Sequence, residues 1–266
     1  MNCNFSFKHY EEILKAALKS NYEFIDFAEF IKRDKNSRKN NFLNQKICLL
    51  RHDIDYEFTK NYNIARIEHN LGLKSTFFIQ CTSWEYNSRD RDVFKIAKEL
   101  SNMGHQIGVH LDMSWYKDID INNVQTYFEK EKKLLSNNLD IEVIDIFSCH
   151  NPHKLRELVL NKVIPGVRST YEPLFFSKIK YLSDSQGWYE GCMCEIFKKS
   201  KYPKIQLLTH SYIWDEVPEV DFTKDIAKMI TCNTKDFYKL MLSSHPVCKK
   251  NEEKLKKEII KKINKW

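Results

Sequence analysis

The sequence contains no stretch of about 18 consecutive apolar residues, so no segment of it is expected to cross a membrane as a helix. Its first residues, MNCNFSFKHYEEILKAAL, carry Glu11 and Glu12 and lack the apolar region of a secretory signal. A cytoplasmic protein is the expectation, and in that compartment the eight cysteines should be reduced thiols. Zinc-ribbon spacing is missing too. Cys192 and Cys194 form a single C-x-C pair with no second pair to match it, which favours buried or incidental thiols over a structural zinc site. No internal repeat, low-complexity linker or compositional break divides the chain. Nor is there a block of one charge: Lys+Arg 43 and Asp+Glu 36 are interspersed, although the net charge is +7. The basic excess gathers in Lys249, Lys250, Lys254, Lys256, Lys257, Lys261, Lys262 and Lys265. Glu252, Glu253 and Glu258 interrupt it at helical spacing, as on a solvated helix face. With no recognition motif beside it, this is not a nucleic-acid surface.

What is present is enough apolar material for a sizeable core, 42% of 266 residues, arranged in alternating periods. Residues 10–30 fit an amphipathic helix and a shorter element, and 32–44 read as a polar connection. Strands are expected at 46–51, 75–80, 106–110 and 143–147, then at 179–182 and 205–209. Helices are expected at 59–71, 91–103 and 124–137, with closing helices at 236–242 and 252–263. Gly72 stands where a helix C-cap is needed. Such alternation argues for one α/β domain built on a parallel sheet, open or closed into a barrel. In that architecture chemistry gathers at the carboxyl ends of the strands.

Those ends carry polar residues. The first strand runs into Arg51-His52-Asp53-Ile54-Asp55, and side-chain alternation puts Asp53 and Asp55 on one face, with His52 on the other. Two carboxylates on one side call for a cation or a shared proton, although a helix cap or a salt bridge to Arg51 would also account for them. In Gly104-His105-Gln106-Ile107-Gly108-Val109-His110-Leu111-Asp112, His110 and Asp112 share a face with Gly108, whose missing side chain leaves room, whereas His105 falls opposite and is read as structural. His110 is a metal-ligand candidate, because imidazole and carboxylate together suit zinc or a similar divalent ion. Ser148-Cys149-His150-Asn151-Pro152-His153 places His150 at a strand end, and residues 205–209 deliver His210. Ser183-Asp184-Ser185 and Trp188 add an acid able to orient a neighbour and an aromatic able to stack on a sugar, or simply to fill the core.

Taken in order, Arg51-His52-Asp53-Ile54-Asp55, Ser75-Thr76-Phe77-Phe78-Ile79, Gly104 to His110, Ser183-Asp184-Ser185 with Gly187-Trp188, and Leu207-Leu208-Thr209-His210 resemble the motifs of the polysaccharide deacetylase (NodB-homology) superfamily. The closest branch has a His-Asp-x-Asp first motif. The match spans roughly residues 46–215 in the right order, leaving 1–45 as an N-terminal helical extension and 216–266 as C-terminal helices. The resemblance implies a distorted (β/α) barrel of about seven parallel strands, fewer than the full eight-fold barrel. It also implies a divalent metal held by one Asp and two His, a catalytic Asp base and a late His acid. By position Asp53 matches the base, Asp55 and His110 two of the metal ligands, His210 the acid, and Asp184 and Trp188 the supporting motif. Two departures stand out. The family's second metal-binding His falls at Ser114 here, and the place of an Arg in its third motif is taken by His150. The inference is that His150 supplies the missing ligand, with Asp112 as the competing candidate; the roles of Asp53 and Asp55 could also be exchanged.

The expected chemistry is hydrolysis of the amide of an N-acylated amino sugar or sugar precursor, in surface-polysaccharide assembly, with zinc as the metal and nickel or cobalt as alternatives. Asp53 would take a proton from water, His210 would protonate the departing nitrogen, and Arg51 would neutralise Asp53 or an anionic part of the substrate. Two other readings use the same scaffold: a non-catalytic sugar- or partner-binding protein that has lost its metal, and a different C–N hydrolysis such as deformylation.

Overall fold

Alternation along one strand organises the molecule. In the computed structural model, which describes residues 3–36, 42–83, 86–88, 90–152, 156–185, 187–218 and 222–264, the chain falls into two compact units, 1–218 and 219–266. In the first unit, helix α1 (Phe7–Lys19) leads to strand β1 (Glu23–Phe24) and helix α2 (Phe27–Lys35). Next come β2 (Ile47–Ile54), α3 (Lys60–Asn70), β3 (Thr76–Ile79), α4 (Arg91–Asn102), β4 (Gln106–Leu111), α5 (Val124–Leu139) and β5 (Ile146–Cys149). The remaining strands are β6 (Arg168–Ser169), β7 (Lys180–Ser183) and β8 (Lys204–Thr209), separated by short helices. Every pairing is parallel, in the order β6-β5-β4-β3-β2-β8-β7, with β1 added to β2. These seven strands curl into an incomplete barrel: among the described residues β6 and β7, at the two ends, do not pair.

The curl shows in which side chains meet. Ile47 and Leu49 of β2, Phe78 of β3 and Ile146 of β5 share an inner cluster with Phe27, Phe30, Phe42, Phe175 and Ile179. Their neighbours in sequence, Cys48, Leu50, Phe77, Ile79 and Phe147, face outward into the larger core under the helices. From the inside of β8, the Gln206 amide donates to the carbonyls of Thr170 and Phe175, beyond β6. Alternation thus sends the odd residues of β2 (47, 49, 51, 53) into the barrel and the even ones out of it.

One outward residue is polar. His52 is fully buried, with Nδ1 2.7 Å from Thr209 Oγ1 and Nε2 2.8 Å from Glu68 Oε1 on α3. Glu68 also accepts from Tyr10 and from Ser75 Oγ. His105 completes the cluster, its Nδ1 accepting from the Ser75 N–H at 3.2 Å and its Nε2 3.2 Å from the Ala65 carbonyl. Burial alone would raise Glu68, but the charge and hydrogen bond of His52 hold it below the usual carboxylate range. His105 therefore belongs to the outer packing, as its parity implied.

The N-terminal segment is strapped onto this unit. The Phe7 N–H donates to Asp215 and the Asp215 N–H to Phe5, while Ser6 caps α1 by accepting from the His9 N–H. The polar stretch expected as a loop at 32–44 is helical as far as Lys35, because Asp26 caps α2 and Arg33 reaches back to Glu29 and Glu23; residues 37–41 lie outside the described ones. The strands β1 and β6, two residues each, carry no periodic signal and were not expected. The second unit consists of helices at Phe222–Ser244, Pro246–Lys250 and Glu252–Ile263. No described helix is long and apolar enough to cross a membrane.

Candidate active site

At the carboxyl edge of the sheet the inner column of β2 ends in Arg51, Asp53 and Asp55. Asp55 lies just past the strand, and its Oδ1 is 3.0 Å from His110 Nε2 and 3.1 Å from His150 Nδ1. The two ring nitrogens are 3.2 Å apart. β4 presents His110 from its inner face. His150 follows β5, where its N–H still donates to Leu111 and prolongs the ladder. His110 is buried; His150 and Asp55 are slightly exposed at the rim. The site is thus assembled from three strand ends.

The hydrogen-bond roles make this cluster unusual. His110 Nδ1 lies 3.2 Å from the Ser148 carbonyl, which can only accept, so Nδ1 carries a proton. In the neutral ring Nε2 is then a lone pair aimed at a carboxylate oxygen, an arrangement that requires a proton or a cation between them. Burial would raise Asp55, yet hydrogen bonding to His110 and His150 and the charge of His210 hold it well below the usual carboxylate range. Ligands about 2.0–2.1 Å from a tetrahedral zinc are separated by roughly 3.3 Å, close to the spacing found here. Two imidazoles and a carboxylate with further positions open are the donor set of a catalytic rather than a structural zinc site. The residues present fit a divalent metal.

Beside this cluster stands a second pair. Asp184, beyond β7, accepts from the His210 backbone N–H through Oδ2 at 3.0 Å and faces His210 Nδ1 through Oδ1 at 2.6 Å. Trp214 Nε1 donates to the same Oδ2 at 2.9 Å. His210 Nε2 is left 3.7 Å from Asp55 Oδ2. Burial opposes the imidazolium, but Asp184, then Asp55 and Asp53, raise it to about 9. His210 Nε2 therefore faces the Asp55–His110–His150 cluster, with Asp184 behind the ring.

Asp53 sits one step deeper. Its Oδ2 accepts from Ser148 Oγ at 2.7 Å and lies 3.4 Å from Arg51 Nη2 and 3.9 Å from His110 Nδ1. Oδ1 is buried without a hydrogen bond among the described residues. Arg51 is fully buried, donates to the Tyr171 hydroxyl at 2.9 Å, and stacks over that ring with its guanidinium carbon 4.7 Å from the centroid. It lies beneath Asp53 as its counter-charge.

Asp112, which parity put on the inner face, turns away instead. Its Oδ1 caps the turn Met113–Trp115, accepting from Ser114 N–H at 3.0 Å and Ser114 Oγ at 2.6 Å, and Ser114 itself is exposed. The strand ends at Leu111, and with it the alternation. The space left by Gly108 is not beside the ligands either: a Cβ there would lie 2.6 Å from the Phe78 ring. Trp188 makes its aromatic contacts with Phe5 and Trp214, in the wall next to Asp184. Sequence reasoning missed Tyr56 and Tyr212, whose rings meet edge to face with centroids 5.0 Å apart, the second 5.8 Å from His210. It also missed Ser148, which touches Asp53 and His110 at once; its place on the inner parity of β5, two residues before His150, was the available signal.

No family model and no curated protein matches the chain. Solved structures do. The CE4 domain of a multidomain xylanase from the hindgut metagenome of Trinervitermes trinervoides is 15% identical, covering 74% of this chain and 85% of its own, with a TM-score of 0.39. A Streptococcus pyogenes deacetylase solved with acetate is 14% identical, covering 86% and 89%, with a TM-score of 0.41. A CE4 family pseudoenzyme from Bacillus anthracis is 14% identical, covering 73% of this chain and 62% of its own, with a TM-score of 0.37.

Proposed function

We propose that this protein is a metal-dependent hydrolase that removes the acyl group from an N-acylated amino sugar or sugar precursor. One observation carries the reading: the lone-pair nitrogen of His110 and the carboxylate of Asp55 converge with His150, and His210, backed by Asp184, faces them. A divalent ion held by Asp55, His110 and His150, with zinc the best match to these donors, would activate a water and polarise an acyl carbonyl. Asp53 is the base. Its free Oδ1 accepts the water proton, while Ser148 and Arg51 fix the other oxygen. His210 donates from Nε2 to the departing nitrogen, which is a poor leaving group unless protonated, and Asp184 holds the ring in position. Tyr56 and Tyr212 beside His210 offer aromatic surface for a sugar ring. None of the seven described cysteines is in a disulfide, which supports a reducing, cytoplasmic setting and a soluble substrate.

The test is release of acid from a panel of N-acetyl and N-formyl amino sugars, free and nucleotide-linked, by the metal-loaded protein. The expected result is turnover of at least one N-acetyl substrate, with Asp53→Asn lowering the rate roughly 10²–10⁴-fold while metal content is retained. Release only from N-formyl compounds would move the reading to a deformylase. Full activity of a metal-loaded Asp53→Asn protein would overturn the assignment of the base. A protein that binds no zinc, nickel or cobalt stoichiometrically would be a non-catalytic member of the fold.

A further inference from the structure

The cysteines that sequence spacing left unassigned come together in space. Cys3 Sγ lies 3.3 Å from His9 Nε2, and the same nitrogen lies 3.3 Å from Cys192 Sγ. One donor atom from each of the three residues lies within 4.8 Å of the other two. The cluster is distinct from Asp55, His110 and His150. It is built from the N-terminal strap, the first turn of α1, and the segment that opens the short helix Met193–Lys198.

His9 is prepared as a ligand. Its ring is buried, and Nδ1 lies 3.0 Å from Glu12 Oε2, one helical turn on. A carboxylate on Nδ1 places the proton there and leaves Nε2 as a lone pair directed at the two sulfurs, the outer arrangement common to metal-bound histidines. For a tetrahedral zinc about 2.3 Å from sulfur and 2.0–2.1 Å from nitrogen, S···N separations of roughly 3.6 Å are expected, a few tenths from those seen. Without a cation this is a poor arrangement. Thiols are weak hydrogen-bond donors, and both sulfurs crowd the same imidazole nitrogen. A divalent metal converts the same crowding into coordination.

We propose that Cys3, His9 and Cys192 form a second metal site, a zinc centre. Binding exchanges two thiol protons, released to solvent, for one Zn²⁺ held by two thiolates, the neutral His9 and a water. The centre ties the strap to the segment after β7. That strap carries Phe5 onto Trp188 and Trp214, and Trp214 donates to Asp184, so the metal braces the wall behind His210 from outside the reacting groups.

The test separates the two sites by their donors. Full-length protein is prepared as wild type, as His110→Ala/His150→Ala, and as Cys192→Ser, and zinc per chain is measured by plasma mass spectrometry. Two equivalents are expected in the wild type and one in each variant. Cobalt substitution of the His110→Ala/His150→Ala protein should give the intense thiolate-to-metal charge-transfer absorption that an Asp-His-His site cannot produce. Cys3→Ser, altered at the third residue and outside the sheet, should weaken that signal and lower metal affinity at least tenfold even if the Cys192→Ser variant fails to fold. The proposal is overturned if the His110→Ala/His150→Ala protein takes up no zinc, if its cobalt form lacks the charge-transfer band, or if protein prepared under reducing conditions has the intact mass of a Cys3–Cys192 disulfide.

Discussion

Asp184 holds His210 at two points, the ring nitrogen Nδ1 and the backbone N–H, with one oxygen assigned to each. Such a bidentate grip fixes both the tilt of the imidazole and the atom that bears its outward proton. Trp214, fully buried, donates to Asp184 in turn, so the carboxylate cannot rotate away. Asp184→Asn would preserve the shape and lose the charge. The expected outcome is a kcat reduced by roughly 10²-fold or more with KM and metal content nearly unchanged, because the loss falls on proton donation. Steady-state kinetics alongside metal analysis checks it.

The choice of the third ligand is open to the same kind of measurement. His150→Ala should weaken metal binding by at least roughly 10–100-fold, the loss typical of even an outer-shell partner. Asp112→Ala removes only the cap of a surface turn and should leave affinity within a few-fold of wild type. Titration against a competing chelator distinguishes them, and the reverse ranking would assign the ligand to Asp112.

Arg51 and Asp53 form a buried pair inside the barrel, and breaking one side leaves the other charge stranded. Arg51→Met should cost about 3–5 kcal/mol of folding stability, measured by urea denaturation. Adding Asp53→Leu to it should recover part of that loss, because the two effects are coupled.

Gly108 is required by its neighbour. Because an added Cβ would meet the Phe78 ring at 2.6 Å, Gly108→Ala should destabilise by about 1–3 kcal/mol. Trimming the obstacle in Gly108→Ala/Phe78→Leu should be less destabilising than the two single changes summed.

Glu131 on α5 gives a stability signature in pH. Burial raises it to about 7 from a usual 4.5, against the lowering by its 2.6 Å hydrogen bond to Tyr116. The folded state therefore keeps a proton that the unfolded chain gives up, so the stabilisation is complete below about pH 4.5 and is lost as pH rises through 7. Relative to Glu131→Gln, the wild type should lose on the order of 2–3 kcal/mol across that window and little beyond it. Denaturation curves from pH 4 to 9 test the sign.

Much of this was legible in the residues because it depends on period and on strand ends. The alternation of hydrophobic runs with helical spacing set out six of the eight strands, and parity alone separated Asp53, Asp55 and His110 from His52 and His105. Other features depended on contacts that periodicity does not encode. Parity misplaced Asp112, since a strand stops where its ladder stops, and a local cap then outweighs alternation. Trp188 could be read as a sugar platform or a core residue, and its stacking on Phe5, far off in sequence, has no signal in the spacing. Tyr56 and Tyr212 follow strand ends without any repeat to announce them. The convergence of Cys3 with Cys192 was out of reach because they stand 189 positions apart and no spacing rule links them.

The two faces of β2 carry opposite cargo: Arg51 and Asp53 lead to the ligands inside, while His52 locks to Glu68 outside. Inserting or deleting one residue upstream within that strand would exchange the faces, thrusting an imidazole into the barrel and two charges beneath the helices. Two buried ionic ensembles would fail at once. In this strand, then, evolution can substitute far more readily than it can lengthen or shorten, and any grafting of the motif into another scaffold must copy the frame together with the residues.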